Sequence, residues 1–303
     1  MNVDEITMNN GLKIPQVGLG TWRICGAEKV EKVIRMSIKT GYRHIDTAMV
    51  YENEQEIGNA LELIYKERLC KREDLFLTSK LWNSYHDRVE EGIEKTLRDL
   101  KTDYIDLYLI HWPVNFQYDN NGNTKRDIDG KPLLKEFELI KLWKKMENLV
   151  NIGKVKSIGV SNFGLKNLSI LLDNCKIKPV VNQIEMHIYL QQKEIFDYCF
   201  KNGIVLTSYS SLGSQPLPNS PKILTDNTLL QIANKRAVKP AVIILNWLKY
   251  KGVVVIPKAS TEDHLIENLK YVDLKSEEVE QLDNISNVYR YVDPVEFGPD
   301  RFN

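Results

Sequence analysis

Neither sign of charge prevails in this chain. Its 303 residues hold 41 Lys and Arg against 41 Asp and Glu, a formal net charge of zero, and no half is obviously basic. A broad electrostatic footprint for nucleic acid or an acidic membrane is therefore missing; a local pocket for one phosphate stays open. Cysteine is scarce. Cys25, Cys70, Cys175 and Cys199 show neither a C-x-x-C pair nor zinc-ligand spacing, so they read as reduced, packed thiols rather than a disulfide framework or a metal site. The opening MNVDEITMNN is acidic and polar, unlike a signal peptide. No apolar run approaches the ~20 residues of a membrane span. These absences predict a soluble cytoplasmic protein. Also missing is G-x-G-x-x-G. VGLGTW (17–22) supplies Gly18 and Gly20 but no third glycine in register, so the Rossmann fingerprint is absent.

What is present is a large apolar fraction, 43%, enough for one barrel or two smaller domains. EITM (5–8) and LKIPQ (12–16) flank Asn9-Asn10-Gly11, a turn suited to positive φ, and predict a hairpin. A beat of strand then helix follows. The expected strands are VGLG (17–20), HID (44–46), DLFLTSK (74–80), YIDLYLIH (104–111), VKSIGVS (155–161), VVNQIE (180–185), IVLTSYS (204–210) and VVVIP (253–257). The expected helices lie near 28–39, 54–65, 87–100, 137–151, 165–172, 193–201, 227–235 and 262–269. Near-continuous apolar strands buried on both faces mark a parallel sheet. Eight such units match a (β/α)8 TIM barrel, here as a single domain over 1–303 with an N-terminal hairpin. Residues 113–136, 211–226 and 283–303 break the beat. Long loops of this kind are usually binding loops or disordered; the first two follow strand C-termini and should overhang the site, and the third can fold back over it.

Four residues sit at or just after strand C-termini: Asp46, Tyr51, Lys80 and His111. In a barrel those ends converge on the face that carries catalysis. A carboxylate, a phenol, an ammonium and an imidazole gathered there make a proton-donating site with tyrosine as the acid. Each alone has a plainer reading: helix cap, core aromatic, surface charge, satisfied core histidine. A barrel holds phosphate through the loops after strands seven and eight. Here these are SYSSLGS (208–214) and IPKASTEDHLIEN (256–268), with Lys258, Ser260, Thr261 and a helix N-terminus that favours anions.

The stretches VGLGTW (17–22), GYRHIDTAMVYENE (41–54), SKLW (79–82), DLYLIHWP (106–113), IGVSNF (158–163), VNQIEMH (181–187), TSYSSLGS (207–214) and VVVIPKA (253–259) resemble, in order, those of the aldo-keto reductase superfamily, nearest its aldose reductase and xylose reductase group. The resemblance implies a barrel that binds NADPH and reduces aldehydes, aldoses or ketones to alcohols, with NADH as an alternative cofactor. It implies a catalytic tetrad of Asp46, Tyr51, Lys80 and His111. Tyr51 would donate the proton, Lys80 would lower its pKa, Asp46 would hold Lys80, and a neutral His111 would orient the carbonyl. It also implies that Tyr209 stacks on the nicotinamide and that Ser161, Asn162 and Gln183 hold its carboxamide. Ser210, Leu212 and Ser214 would follow the pyrophosphate. Lys258, with Ser260, Thr261 and His264 nearby, would meet the 2′-phosphate, and Glu267 and Asn268 the adenine. Trp22, Val50, Trp82, His111, Trp112 and Phe116 would line the substrate pocket. No metal, nucleic acid or membrane is implied, and the assembly would be a monomer or weak homodimer.

Several positions depart from that pattern. Ala259 stands where serine is common, and His264 where an arginine often holds the 2′-phosphate or stacks on adenine. Ile188 and Ser211 replace usual prolines, and Pro216 replaces an aspartate that latches the pyrophosphate in some relatives. These changes predict a looser cofactor clasp. The ending YRYVDPVEFGPDRFN resembles xylose reductases more than animal aldose reductases. Two readings from other classes stay open: a lyase or isomerase working through a Schiff base on Lys80, and a non-enzymatic NADP(H)-binding regulatory subunit.

Overall fold

The computed structural model describes residues 4–213 and 220–303. The chain opens with an antiparallel hairpin of β1 (Glu5–Thr7) and β2 (Lys13–Pro15). Gly11 takes φ 81° in its turn, where a side chain would be strained. Then come β3 (Leu19–Gly20), α1 (Ala27–Thr40), β4 (His44–Asp46), α2 (Glu54–Lys66), β5 (Phe76–Leu81), α3 (Val89–Leu100) and β6 (Leu107–Ile110). A short antiparallel pair follows, β7 (Asn115–Phe116) with β8 (Leu134–Lys135). The chain continues through α4 (Leu139–Asn151), β9 (Ile158–Ser161), α5 (Leu165–Asn174), β10 (Val181–Glu185), α6 (Lys193–Lys201) and β11 (Val205–Tyr209). It ends with α7 (Asn227–Lys235), α8 (Pro240–Tyr250), β12 (Val254–Val255), α9 (Glu262–Asn268) and α10 (Ser276–Asp283).

Eight strands form one parallel sheet in the order β12-β11-β10-β9-β6-β5-β4-β3. Its two ends meet. Val17 bridges Val255 in parallel, the Gly18 N–H reaches the Val255 carbonyl at 2.8 Å, and the Val255 N–H reaches Gln16 at 2.9 Å. The sheet therefore closes into the (β/α)8 barrel. Closure demands glycine at position 20, because a Cβ there would lie 2.4 Å from the Ile256 carbonyl oxygen.

Alternation along the strands divides the core. Leu107 and Leu109 join Val181, Val254 and Ile256 inside the barrel. Tyr108 and Ile110 face the helices with Leu77, Val160 and Ile184. Met8 and Ile14 of the hairpin segment belong to the inner cluster, so the hairpin plugs the end opposite the strand C-termini. Helix α1 shows how the outer layer forms. Val30, Val33, Ile34, Ser37 and Ile38 are its buried residues, spaced as one apolar stripe at helical period.

The eight expected helices are present, and two more appear. Between α7 and β12 lies α8, whose residues 242–248 are all buried. Beyond α9 lies α10. The 113–136 segment is not wholly loop either: besides β7 and β8 it carries bridges Tyr118 to Thr124 and Arg126 to Pro132. No helix among the described residues is long and apolar enough to cross a membrane. The four cysteines are free thiols. No cluster of three or more His, Cys, Asp or Glu suited to a metal occurs among the described residues.

Candidate active site

Lys80 is fully buried on β5, and its ammonium organises the site. Nζ donates to Asp46 Oδ1 at 2.6 Å, to the Thr47 carbonyl at 2.8 Å and to the Tyr51 hydroxyl at 3.3 Å. An ammonium has three N–H groups, and all three are used. The other Asp46 oxygen, Oδ2, accepts the Gln183 amide at 2.7 Å, which ties β4 to β10 across the barrel. Tyr51 closes a 3-10 turn (Met49–Tyr51) just past β4. Its hydroxyl accepts from Lys80, so its own proton must point elsewhere.

The electrostatics correct one expectation. Burial, and then the negative charge of Asp46, push the Tyr51 phenol well above its ordinary 10. The contact from Lys80 does not reverse that rise, because the lysine's charge is matched by Asp46 and its own pKa is pulled down by burial. Tyr51 is thus a stably protonated phenol. Burial, then the charge of Lys80, holds His111 well below its ordinary 6.5. It is a neutral imidazole at physiological pH. Its Nδ1 has no hydrogen-bond partner among the described residues.

Aromatic rings wall the space before these groups. Trp82 meets His111 edge-on at 5.4 Å and Phe116 at 5.7 Å between centroids, and Trp112 stacks beside His111 at 6.5 Å. Tyr51 and His111 lie 5.9 Å apart. Trp22 sits 5.4 Å from Tyr51 and is exposed, as is Val50, so both stand at the rim. The chain's last residues supply a further wall: Phe297 packs 4.9 Å from Phe116 and 5.4 Å from Trp112, and Phe302 lies 5.6 Å from Trp112. Neither phenylalanine is assigned by the motifs. Their signal in the sequence is an aromatic tail long enough to fold back.

The residues implied for a nicotinamide lie on adjacent strand ends. Ser161 ends β9 and Asn162 follows it, with Ser161 Oγ donating to the Gln183 carbonyl at 2.9 Å. Asn162 takes φ 64°, donates to the His111 carbonyl at 3.0 Å and accepts the Tyr209 hydroxyl at 2.6 Å. Ser210 also lies at positive φ, 49°, and the Gly213 N–H turns back to its carbonyl. Leu212 is half-buried there. Ser214 and Pro216 lie outside the described residues.

Further round, Lys258, Ser260, Thr261 and His264 are exposed. Burial, then Arg23 and Lys29, lower the Lys258 pKa, so three cations crowd together. The N-terminus of α9 adds little: the helix has seven residues, its first turn holds Glu262 and Asp263, and Thr261 caps it by accepting from the His264 N–H. Glu267 pairs with Lys239 at 2.8 Å, and Asn268 is buried.

Asn53, which the motifs contain without assigning, ties the site's loops together. Its amide donates to Thr21 and Ile24 carbonyls at 3.0 Å each, and it accepts from Thr47 Oγ1 at 2.9 Å. Behind Lys80, buried Glu54 accepts from Ser79 at 2.5 Å and Thr96 at 3.2 Å.

Known proteins share this architecture. The profile of the aldo/keto reductase family matches residues 16–287. The aldose reductase of Encephalitozoon cuniculi is 45% identical over 97% of each chain. The NAD(P)H-dependent D-xylose reductase of Candida tenuis is 37% identical over 97% of this chain and 96% of its own. The solved aldose reductase of Schistosoma japonicum superimposes with TM-score 0.89 at 36% identity, covering 97% of this chain and 96% of the other. A closed (β/α)8 barrel with a buried Lys80–Asp46 pair beside a protonated tyrosine, matched over nearly its whole length by such relatives, belongs to the aldo/keto reductase family of oxidoreductases.

Proposed function

We propose that this chain reduces aldehydes, aldoses among them, to alcohols with NADPH, and that Tyr51 is the general acid. The observation that carries the assignment is Lys80 using all three N–H groups on Asp46, Thr47 and Tyr51. That arrangement leaves the Tyr51 proton directed toward the pocket. The donor set fits a nicotinamide dinucleotide phosphate. Crowded Lys258, Arg23 and Lys29 would be relieved by a phosphate, and Ser161, Asn162, Gln183 and Tyr209 offer amide, hydroxyl and ring faces at one edge of the pocket.

When bound, the reduced nicotinamide supplies a hydride, two electrons with one proton, to the carbonyl carbon. The chain's residues do the rest. Neutral His111 donates a hydrogen bond to the carbonyl oxygen and fixes which way it points. As charge builds on that oxygen, the Tyr51 O–H bond breaks and its proton moves there. A raised phenol pKa is no obstacle, since an alkoxide is far more basic than a phenolate. Lys80 then stabilises the phenolate left behind, held in place by Asp46. Trp82, Trp112, Phe116 and Phe297 keep the pocket apolar and shed water, which strengthens these interactions.

The Schiff-base reading loses ground because Lys80 is enclosed and its nitrogen fully engaged. The test is loss of reduced-nicotinamide absorbance with glyceraldehyde and xylose, using NADPH and NADH in parallel. Turnover is expected with both carbonyls, faster with NADPH. No turnover despite nucleotide binding would overturn the reductase reading.

A further inference from the structure

Glu54 is a buried acid, 3% exposed, that the proposed chemistry does not use. It is the first residue of α2 and follows closely on the turn that ends at Tyr51. Its two oxygens go to different elements. Oε1 accepts the Ser79 hydroxyl of β5 at 2.5 Å, and Oε2 accepts the Thr96 hydroxyl of α3 at 3.2 Å. Ser79 immediately precedes Lys80, and successive side chains of a strand point to opposite faces. Lys80 therefore reaches into the site while Ser79 reaches back to α2.

Two links thus run side by side between the same two pieces of chain. In front, Lys80 Nζ donates to the Tyr51 hydroxyl at 3.3 Å, which is long for a hydrogen bond and holds Tyr51 weakly. Behind, the Ser79–Glu54 bond is short and charge-assisted. The frame around the rear link is firm. A Cβ on Gly58 of α2 would stand 2.2 Å from the Asp99 carbonyl oxygen of α3, so the two helices meet backbone to backbone. Little charge nearby competes for Glu54. Lys95 and Asp99 of α3 pair with each other, and burial keeps the Tyr108 phenol of β6 protonated.

We propose that Glu54 is a positioning residue: through Ser79 its carboxylate locks the turn that carries Tyr51 to the strand that carries Lys80, and so sets the contact between phenol and ammonium. The catalytic consequence rests on the reductase reading; the bracket between the two segments does not. The negative charge of Glu54 also favours the charged form of Lys80, the form that stabilises a Tyr51 phenolate.

The test compares Ser79→Ala with Thr96→Val in the full chain at about pH 8, above the value of about 7 to which burial raises Glu54. Each variant takes one hydroxyl from Glu54, but only Ser79 lies on the bracket. Ser79→Ala should lower kcat for glyceraldehyde roughly ten-fold, with KM and NADPH affinity near wild type. It should also speed hydrogen exchange at the Tyr51 and Glu52 amides several-fold, measured without ligands. Thr96→Val should leave kcat and that exchange at wild-type values, even where it lowers the unfolding midpoint as much. Glu54→Gln keeps the shape and removes the charge. Its alkaline limb of kcat/KM should move to lower pH, because Lys80 then gives up its proton more readily. Faster exchange in Ser79→Ala with kcat unaltered would overturn the positioning role, and unaltered exchange would overturn the bracket. Equal kcat losses in Ser79→Ala and Thr96→Val would reduce Glu54 to holding the fold. Should Ser79→Ala fail to fold, wild-type kcat and an unmoved alkaline limb in Glu54→Gln overturn the proposal by themselves. A wild-type chain that turns over no carbonyl would sink the reductase reading and leave the exchange result standing.

Discussion

Lys80 and Asp46 form a 2.6 Å ion pair with side chains only 1% and 2% exposed. Burying two charges is costly, and their attraction offsets that cost only with good geometry and further hydrogen bonds. Both conditions hold: Thr47 and Tyr51 take the remaining lysine donors, and Gln183 takes the second carboxylate oxygen. Lys80→Met would strand Asp46 as an unpaired buried charge and should cost about 3–5 kcal/mol. Adding Asp46→Asn should restore part of that stability but no activity. Denaturant unfolding of the single and double variants, beside kcat/KM, separates the two. A double variant no more stable than Lys80→Met would contradict the pairing argument.

Tyr51→Phe removes one oxygen and its proton and leaves the ring packed against Trp22. Losing a positioned general acid typically costs ~10²–10⁴-fold in rate. The loss should appear in kcat, with NADPH affinity close to wild type by fluorescence titration. Normal turnover in this variant would place the acid elsewhere.

The gathering of Asp46, Tyr51, Lys80 and His111 was legible because strand pattern and motif agree: each of the four residues falls at or just past a short apolar run, and those runs are β4, β5 and β6. Helix α8 was not legible. PAVIILNWLKY is apolar around nearly its whole circumference because it is covered on every side, and periodicity cannot tell such a run from a buried strand. The direction of the Tyr51 shift was missed for a related reason. Lys80 adjoins Tyr51, but burial and Asp46 decide the sign, and burial comes from the fold rather than from spacing. Glu185 accepts from the Tyr291 main-chain N–H, 106 residues away, and nothing local in VNQIEMH announces a partner in the tail.

Closure of the barrel gives a stability test far from the chemistry. A Cβ at position 20 would meet the Ile256 carbonyl oxygen at 2.4 Å, and that atom belongs to backbone that cannot swing aside. Gly20→Ala should therefore part β3 from the segment after β12 and cost about 1–3 kcal/mol. A shift of the denaturant midpoint to lower concentration checks it. An unchanged midpoint would mean that the β3 edge can move without penalty.

The proposed use of NADPH can be tested at the exposed rim. Lys258, Arg23 and Lys29 already crowd one another, while His264 stands exposed in the first turn of α9. His264→Arg should raise the NADPH-to-NADH ratio of kcat/KM, and Lys258→Ala should lower it, acting mainly on NADPH. Parallel assays with both cofactors decide the matter; a ratio unmoved by either change would remove these residues from phosphate recognition.

Acid should unfold this chain early, and the sign follows from its buried histidines. Burial lowers His44 to about 4 and His86 to about 3, and holds His111 well below 6.5. In the unfolded chain each takes a proton near pH ~6.5. Between those values the unfolded state binds more protons, so stability falls as pH drops below about 6.5. Glu54 acts the other way. Burial raises it from 4.5 to about 7, so in that range the folded state carries the extra proton and gains on acidification. Three imidazoles outweigh one carboxyl, which leaves a net loss approaching two protons' worth of slope, ~1.4 kcal/mol per pH unit for each. Glu54→Gln removes the opposing term and should steepen the decline. Urea unfolding at about pH 6.5, 5.5 and 4.5 measures both curves; a flat wild-type profile would mean that these histidines are not held neutral in the folded chain.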